Sequence, residues 1–277
     1  MRAYRVAYDG RPFHGFQRQP DVPTVEDALF DALRDLDVLA DDADKPDGYA
    51  AAGRTDAGVS ARAQTVAFEV PEWLIPRALN AELPASVRAW ASADVDSGFH
   101  ATHDARERTY VYHLYAPRRS TDTHDAFDDD RARAALDRLA GEHDFHNLTP
   151  DETGTVRDLD ASAERDGEFL VVTVRAGGFA RQLVRRVVGL VAEVGHGECD
   201  RDRVERVLGP DPIDGPGGVA SAPADPLVLW DVDYPEVGFT VDGDAAESAR
   251  EVFGARYATR RAGAAVVGSI RDGLDDP

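Results

Sequence analysis

Two successive β-α-β-β-α-β runs, with period-two alternation in the strand segments and 3.6-residue periodicity in the helical ones, predict an α+β fold. The expected architecture is two tandem ferredoxin-like halves with antiparallel sheets and a cleft between them. A third observation, 277 residues of which 43% are hydrophobic, supplies enough chain to bury roughly 70–75% of the unfolded surface without staples.

In the first run, residues 2–9 alternate and end at Asp9-Gly10, a strand entering a turn. A helix over 24–36 comes next, with Thr24 as N-cap, Asp27 three residues on, and Val25, Ala28, Leu29, Ala32, Leu33 and Leu36 on one face. A polar loop over 41–48 leads to 49–53, and 63–70 alternate as a strand. Pro71 opens a short helix through Leu79, and 87–95 form the next strand. After 102–108 the order begins again, with a strand over 109–116 and a helix over 128–140 whose acidic first turn suits the helix dipole. Segments 156–165 and 168–175 form a hairpin across Asp166-Gly167. A long helix over 179–194, a shorter one over 201–208 and a strand over 227–234, entered from a Gly/Pro-rich loop at 209–226, complete it. The expected units are residues 1–103, residues 104–235, and an extension over 236–277 with a helix around 245–258 and no assigned role. The two halves share no sequence repeat, so the duplication is one of topology.

Charge sets the class of surface. Asp and Glu number 52 against 31 Lys and Arg, a formal net charge of −21, and Lys45 is the only lysine. The acids are spread along the whole chain rather than gathered in a tail, which reads as adaptation of the entire surface to high salt. Cys199 stands alone, excluding a disulfide framework and any multi-cysteine metal site. The start, MRAYRVAYDG, has no apolar run of the kind a signal peptide needs, and no stretch of about 18 apolar residues occurs. The expectation is a soluble cytoplasmic protein.

Against that acidic background two stretches lack acids. Residues 10–20 (GRPFHGFQRQP) carry Arg11, Phe13, His14, Phe16, Gln17 and Arg18, and residues 169–192 hold Arg175, Arg181, Arg185 and Arg186. Arginine interleaved with aromatic rings is what single-stranded RNA recognition uses, because guanidinium groups grip phosphates and rings stack on bases. Buried elements also lack acids, so this pattern alone leaves both readings open. Residues 51–68 (AAGRTDAGVSARAQTVAF) place Arg54 and Asp56 on a loop bracketed by Gly53 and Gly58. The lysine of a phosphate-binding loop is missing after Gly58. On spacing alone Asp56 reads first as a turn-capping side chain. His100/His103 and His143/His146 have i, i+3 spacing but no convincing further ligand, so no metal is expected. Ser60 and Ser221 lack the setting of a hydrolase nucleophile. Tyr110 and Tyr112 share one face of a strand.

Five motifs then fall in one order: YDGRPFHGFQRQP, AGRTDAGVSARAQTVAF, FHATHDARERTYVYHLY, DFHNLT and GGFARQLVRRVVGLVAEVG. Together, from Tyr8 to Tyr234, they resemble the TruA family of tRNA pseudouridine synthases, of a halophilic archaeal type. The resemblance implies isomerisation of uridine to pseudouridine in the tRNA anticodon arm, at positions 38 to 40, without metal or organic cofactor, by a chain that is usually a homodimer. It implies that Asp56 is the catalytic carboxylate, that Arg54 fills the space left by the flipped base, that Tyr110 lies against the uracil and that Arg185 pairs with Asp56. Arg11, Phe13, His14, Phe16, Gln17, Arg18, Arg62, Arg181 and Arg186 become the expected RNA contacts. Two positions depart from the family pattern: Ser60 stands where His is usual, and Thr102 where Arg often comes after Phe-His-Ala. The rival class is a tRNA-binding protein of the same fold without catalysis, against which the joint retention of Asp56, Tyr110 and Arg185 argues. A glycoside hydrolase would need a second carboxylate, which the motif loop does not supply.

Overall fold

The structure, a computed structural model, describes residues 1–118, 126–199, 202–213 and 218–274. Its centre is one large, mostly antiparallel sheet. The strands are β1 (Arg2–Tyr8), β2 (Ala50–Ala51), β3 (Ser60–Phe68), β4 (Val87–Asp94), β5 (Glu107–Tyr115), β6 (Gly141–Asp144), β7 (Val156–Asp166), β8 (Phe169–Ala176), β9 (Leu227–Asp233) and β10 (Thr240–Val241). The helices are α1 (Val25–Asp35), α2 (Pro76–Leu79), α3 (Asp129–Leu139), α4 (Leu183–His196), α5 (Arg203–Val207) and α6 (Gly243–Gly273). The strands lie in the order β10-β4-β1-β3-β9-β5-β8-β7-β6, with β2 also paired to β3.

The first half runs β4-β1-β3-β2 and the second β9-β5-β8-β7 across the sheet. The join is a short parallel pairing of β3 with β9, Ser60 opposite Val228 and Ala61 opposite Leu229. Because β3 begins at Ser60, the loop that precedes it is delivered to this seam.

The core falls into two main clusters, for the reason the alternation gives: inward residues of the strands meet the apolar stripe of the helices. Tyr4, Val6, Tyr8 and Val66 pack with Leu29, Phe30 and Leu33 of α1. Leu170, Val172 and Val174 of β8 pack with Leu136 and Leu139 of α3 and Val187 and Val191 of α4. Tyr110 touches both clusters. Local signals end the helices where expected: the Thr24 hydroxyl accepts from the Asp27 amide, and the Asp128 carboxylate from the amides of Asp130 and Arg131.

Several boundaries differ from the sequence reading. β3 starts at Ser60, three residues earlier, because its first residues pair across the seam with β9. α2 is only Pro76–Leu79, since Pro76 takes the first helical position and the preceding residues turn, Leu74 N donating to Pro71 O. α4 begins at Leu183 rather than 179, because Gln182 adopts the left-handed conformation at φ 61°. β6 and β10 were not expected, and α6 runs fifteen residues past 258. The helix expected over 201–208 is Arg203–Val207, and Arg201 lies outside the described residues.

The buried tyrosines give the fold an alkaline limit. Burial pushes the phenols of Tyr110, Tyr112 and Tyr234 up to about 12, and those of Tyr4, Tyr8 and Tyr49 are raised too. In the unfolded chain they ionise near the ordinary value of about 10. Below pH 10 both states keep their protons and this stability is fully present; as pH rises from 10 towards 12 the unfolded state loses protons that the folded state holds, and stability is lost. Denaturant midpoints in molar salt should therefore be level from pH 8 to 9.5 and fall at pH 11. An unchanged midpoint at pH 11 would contradict the burial of these groups.

Candidate active site

The loop from 52 to 59 crosses the seam between the halves and is fixed from below. Phe16 N donates to Thr55 O at 3.0 Å and Gly58 N to Phe13 O at 3.3 Å. The Tyr8 hydroxyl hydrogen-bonds the Thr55 hydroxyl at 2.7 Å, and the buried Gln64 side chain donates to Gly53 O at 2.8 Å. A loop held at both ends and at its middle presents Asp56 in one place, which is what a reacting carboxylate needs.

The facing wall is the start of α4. Gln182, in its left-handed conformation, turns the chain into the helix, and its side chain accepts from the Ser221 hydroxyl at 3.2 Å. Arg185 is anchored by donating from Nε to Ala222 O at 2.8 Å, while Ala222 N donates back to Arg185 O at 3.0 Å. That close approach requires Gly189, where a Cβ would lie 2.2 Å from Ala220 O. The remaining arm of the guanidinium reaches Asp56, Nη1 to Oδ2 at 3.1 Å, across 129 residues of sequence. Both side chains are partly exposed, so the pair faces a cleft and is not sealed in the core.

Between the walls lies a cleft of ≈ 1750 Å³, floored by Tyr110, Leu227 and Leu229. That exceeds the ~300–1,000 Å³ of a site for a drug-sized ligand. The Tyr110 ring stands edge-on to Phe179 at 5.1 Å. Burial, with Asp56 adding to it and Arg108 opposing it, pushes the Tyr110 phenol up to about 12, so it is protonated at neutral pH. Arg54 is exposed at the cleft, and no hydrogen bond or ion pair to another described residue holds it. Arg181 meets Asp151, Nε to Oδ1 at 3.2 Å, and the Arg181 amide holds the Asp151 carboxyl below its usual range.

The family model for tRNA pseudouridine synthase matches residues 135–235. The tRNA pseudouridine synthase A of Haloarcula marismortui is 60% identical over 275 residues, 99% of this chain and 100% of that protein. This chain belongs to the tRNA pseudouridine synthase family. The Natronomonas pharaonis protein of the same name is 62% identical, covering 98% of each chain, and that of Methanosarcina acetivorans is 38% identical, covering 84% of each. A chain of the crystal structure of the archaeal box H/ACA sRNP Nop10-Cbf5 complex is 18% identical with a TM-score of 0.34, covering 69% of this chain and 44% of that one.

In this synthase-family chain, Arg54, Asp56, Tyr110 and Arg185 come together on the cleft, and His14, Gln17, Arg18 and Arg181 also line it. Others are placed differently. Phe16 borders the cleft and Phe13 does not, but at 1% and 9% exposure their rings anchor the segment beneath the Asp56 loop instead of standing ready to stack on bases. Arg11 faces Asp225 at 3.6 Å outside the cleft lining. Arg62 points to the other face of the sheet, its guanidinium between the rings of Trp90 and Trp230 at 5.3 and 5.1 Å, because Ala61 and Ala63 on either side of it point inward. Arg186 is also absent from the lining, one residue being a 100° turn away from Arg185, and Arg181 precedes the helix, so the three arginines do not share a helix face.

Arg108 was not singled out from the sequence, yet it is buried and donates to the carbonyls of Ala52, Thr102, Ala105 and Gly177, tying three loops at the far end of the cleft. Its only sequence signal is its place in the RTY run before Tyr110. The two departures from the family pattern have structural partners: Ser60 Oγ accepts from Gly10 N at 3.0 Å, and the Thr102 hydroxyl donates to Ala51 O at 2.5 Å. Among the described residues no group of three or more His, Cys, Asp or Glu is placed to hold a metal ion, and no helix is long and apolar enough to cross a membrane.

Proposed function

We propose that this chain isomerises uridine to pseudouridine in the anticodon arm of tRNA, at positions 38 to 40, with Asp56 as the catalytic carboxylate. The observation that carries the reading is the 3.1 Å pairing of Asp56 with Arg185 from the two facing walls of the cleft. The β4-β1-β3-β2 and β9-β5-β8-β7 orders support two ferredoxin-like halves, over residues 1–103 and 104–235, with residues 236–277 as an added C-terminal unit. The family's usual homodimer, working in the cytoplasm where tRNA is processed, completes the reading.

The reaction breaks the C1′–N1 bond, turns the uracil and joins C5 to C1′; the C5 proton leaves and N1 ends protonated, so the change is an isomerisation. Asp56 either attacks C1′ or removes a ribose proton, and as a carboxylate it stabilises positive charge developing on the sugar. Arg185 orients it. Arg54 fills the gap left when the target base leaves its stack, offsetting part of the few kcal/mol that flipping costs. Tyr110 lies against the uracil and donates a hydrogen bond. A phenol ionising at about 12 is fully protonated at neutral pH, so it accepts the C5 proton only by passing its own onwards, through water or to Asp56.

The direct test is to map pseudouridine in tRNA from cells with and without this chain. Loss of pseudouridine at positions 38 to 40, restored by the intact chain, is the expected result. An unchanged tRNA map would remove the reading.

A further inference from the structure

The C-terminal helix α6 is tied to the Asp56 loop through one buried carboxylate. Asp9 closes β1 and is only 4% exposed. A carboxylate so placed is costly unless paired. Besides a 3.5 Å bond accepted from the Arg11 amide, its charged partners come from the far end of the chain: Arg256 Nη1 lies 2.9 Å from Asp9 Oδ2, and Arg260 pairs with the same oxygen. The two arginines are four residues apart and share one face of α6.

The segment immediately after Asp9 forms the bed of the Asp56 loop. Gly10 packs so closely on the exit of that loop that a Cβ would stand 2.0 Å from Val59 O, and Gly10 N donates to the Ser60 hydroxyl at 3.0 Å. Three and six residues further, Phe13 O and Phe16 N make the hydrogen bonds to Gly58 and Thr55 on either side of Asp56. A shift of Asp9 therefore moves the support of the reacting carboxylate.

The same contact explains how α6 persists. Its N-terminal part is fixed by burial of Ala245, Ala246 and Ala249, but from Tyr257 to Arg271 every residue except Gly268 is exposed. Gly263 and Gly268, with Val266, Val267 and Ile270, are poor helix formers for a segment without cover. Arg256 and Arg260, at the start of that segment, join it to the body of the protein.

We propose that α6 is a strap whose Arg256 and Arg260 act as positioning residues, holding Asp9 and thereby the Asp56 loop in its reactive geometry. The proposal rests on the reading of Asp56 as the catalytic group. A displacement of the order of 1 Å in a reacting group is enough to cost about 100-fold in rate.

The test is the full-length Arg256→Gln/Arg260→Gln variant in molar salt, read by single-turnover pseudouridine formation and by tRNA binding. The expected result is a rate lower by on the order of 10- to 100-fold with the dissociation constant for tRNA within about threefold. Arg256→Lys/Arg260→Lys should recover most of the rate, because each arginine gives one contact that an ammonium can also make. A normal rate overturns the proposal, as does a weakened affinity with an unchanged bound-state rate, which would make α6 an RNA-contacting helix. If the glutamine pair does not fold, Arg260→Gln alone decides it by hydrogen exchange: the amides of Gly58 and Phe16 should exchange faster, and unchanged exchange overturns the strap. Failure of the intact chain to form pseudouridine would instead remove the proposed function, and the exchange measurement would still judge the strap.

Discussion

Asp56→Asn lowers the single-turnover rate of pseudouridine formation by at least about 10³-fold, while tRNA affinity changes by less than about threefold. The amide keeps the size of the carboxylate and leaves an oxygen for the Arg185 guanidinium at the present 3.1 Å, and Arg185 is held independently by Ala222 O. The geometry of the cleft therefore survives. What is lost is the negative charge, and with it the nucleophile or base and the stabilisation of charge at C1′. On the proposed reading, tRNA contacts are spread over His14, Gln17, Arg54 and Arg181, which line the cleft, so no single carboxylate carries binding. Release of tritium from C5 of labelled uridine measures the reaction, since C5 loses that proton once it has bonded to C1′. Release at the unmodified rate would end both the role of Asp56 and the mechanism built around it.

Dialysis from molar to about 10 mM salt unfolds the protein. At 1 M salt the Debye length is about 3 Å and each surface carboxylate is screened from its neighbours; at 0.01 M it is about 30 Å, and the repulsion sums over the whole molecule. The excess of acids is 52 − 31 = 21. Many arginines are in ion pairs, such as Arg18 with Asp27 and Arg175 with Asp160, but exposed pairs are worth only about 0–1 kcal/mol each and cannot offset a repulsion shared by all the unpaired acids. Far-UV circular dichroism during dialysis, with a non-ionic osmolyte as a control that should not rescue the fold, reads the outcome. A fully native spectrum in dilute buffer would show that the surface charge does not govern folding.

The sequence by itself determined whatever depends on neighbouring residues. The Thr24 cap and apolar stripe of α1, the Asp128 cap of α3 and the hairpin across Asp166-Gly167 are local devices, and each stands where the pattern places it. The Asp56 loop was legible because its glycines and its motif are contiguous. The pairing of β3 with β9, which sets that loop on the seam, depended on which strand edges the two halves leave open, and no periodicity reports that. The acid-free stretch marked Phe13 and Phe16, and the family resemblance marked Arg62, as RNA contacts, but only the packed structure decided what is covered: the two rings are buried, and Arg62 lies between two tryptophans on the far side. The sequence places the last helix around 245–258, and the structure carries it to Gly273. Propensity is a weak, local preference, whereas the ion pairs of Arg256 and Arg260 with Asp9 join residues about 250 apart, a contact that exists only once the chain has folded.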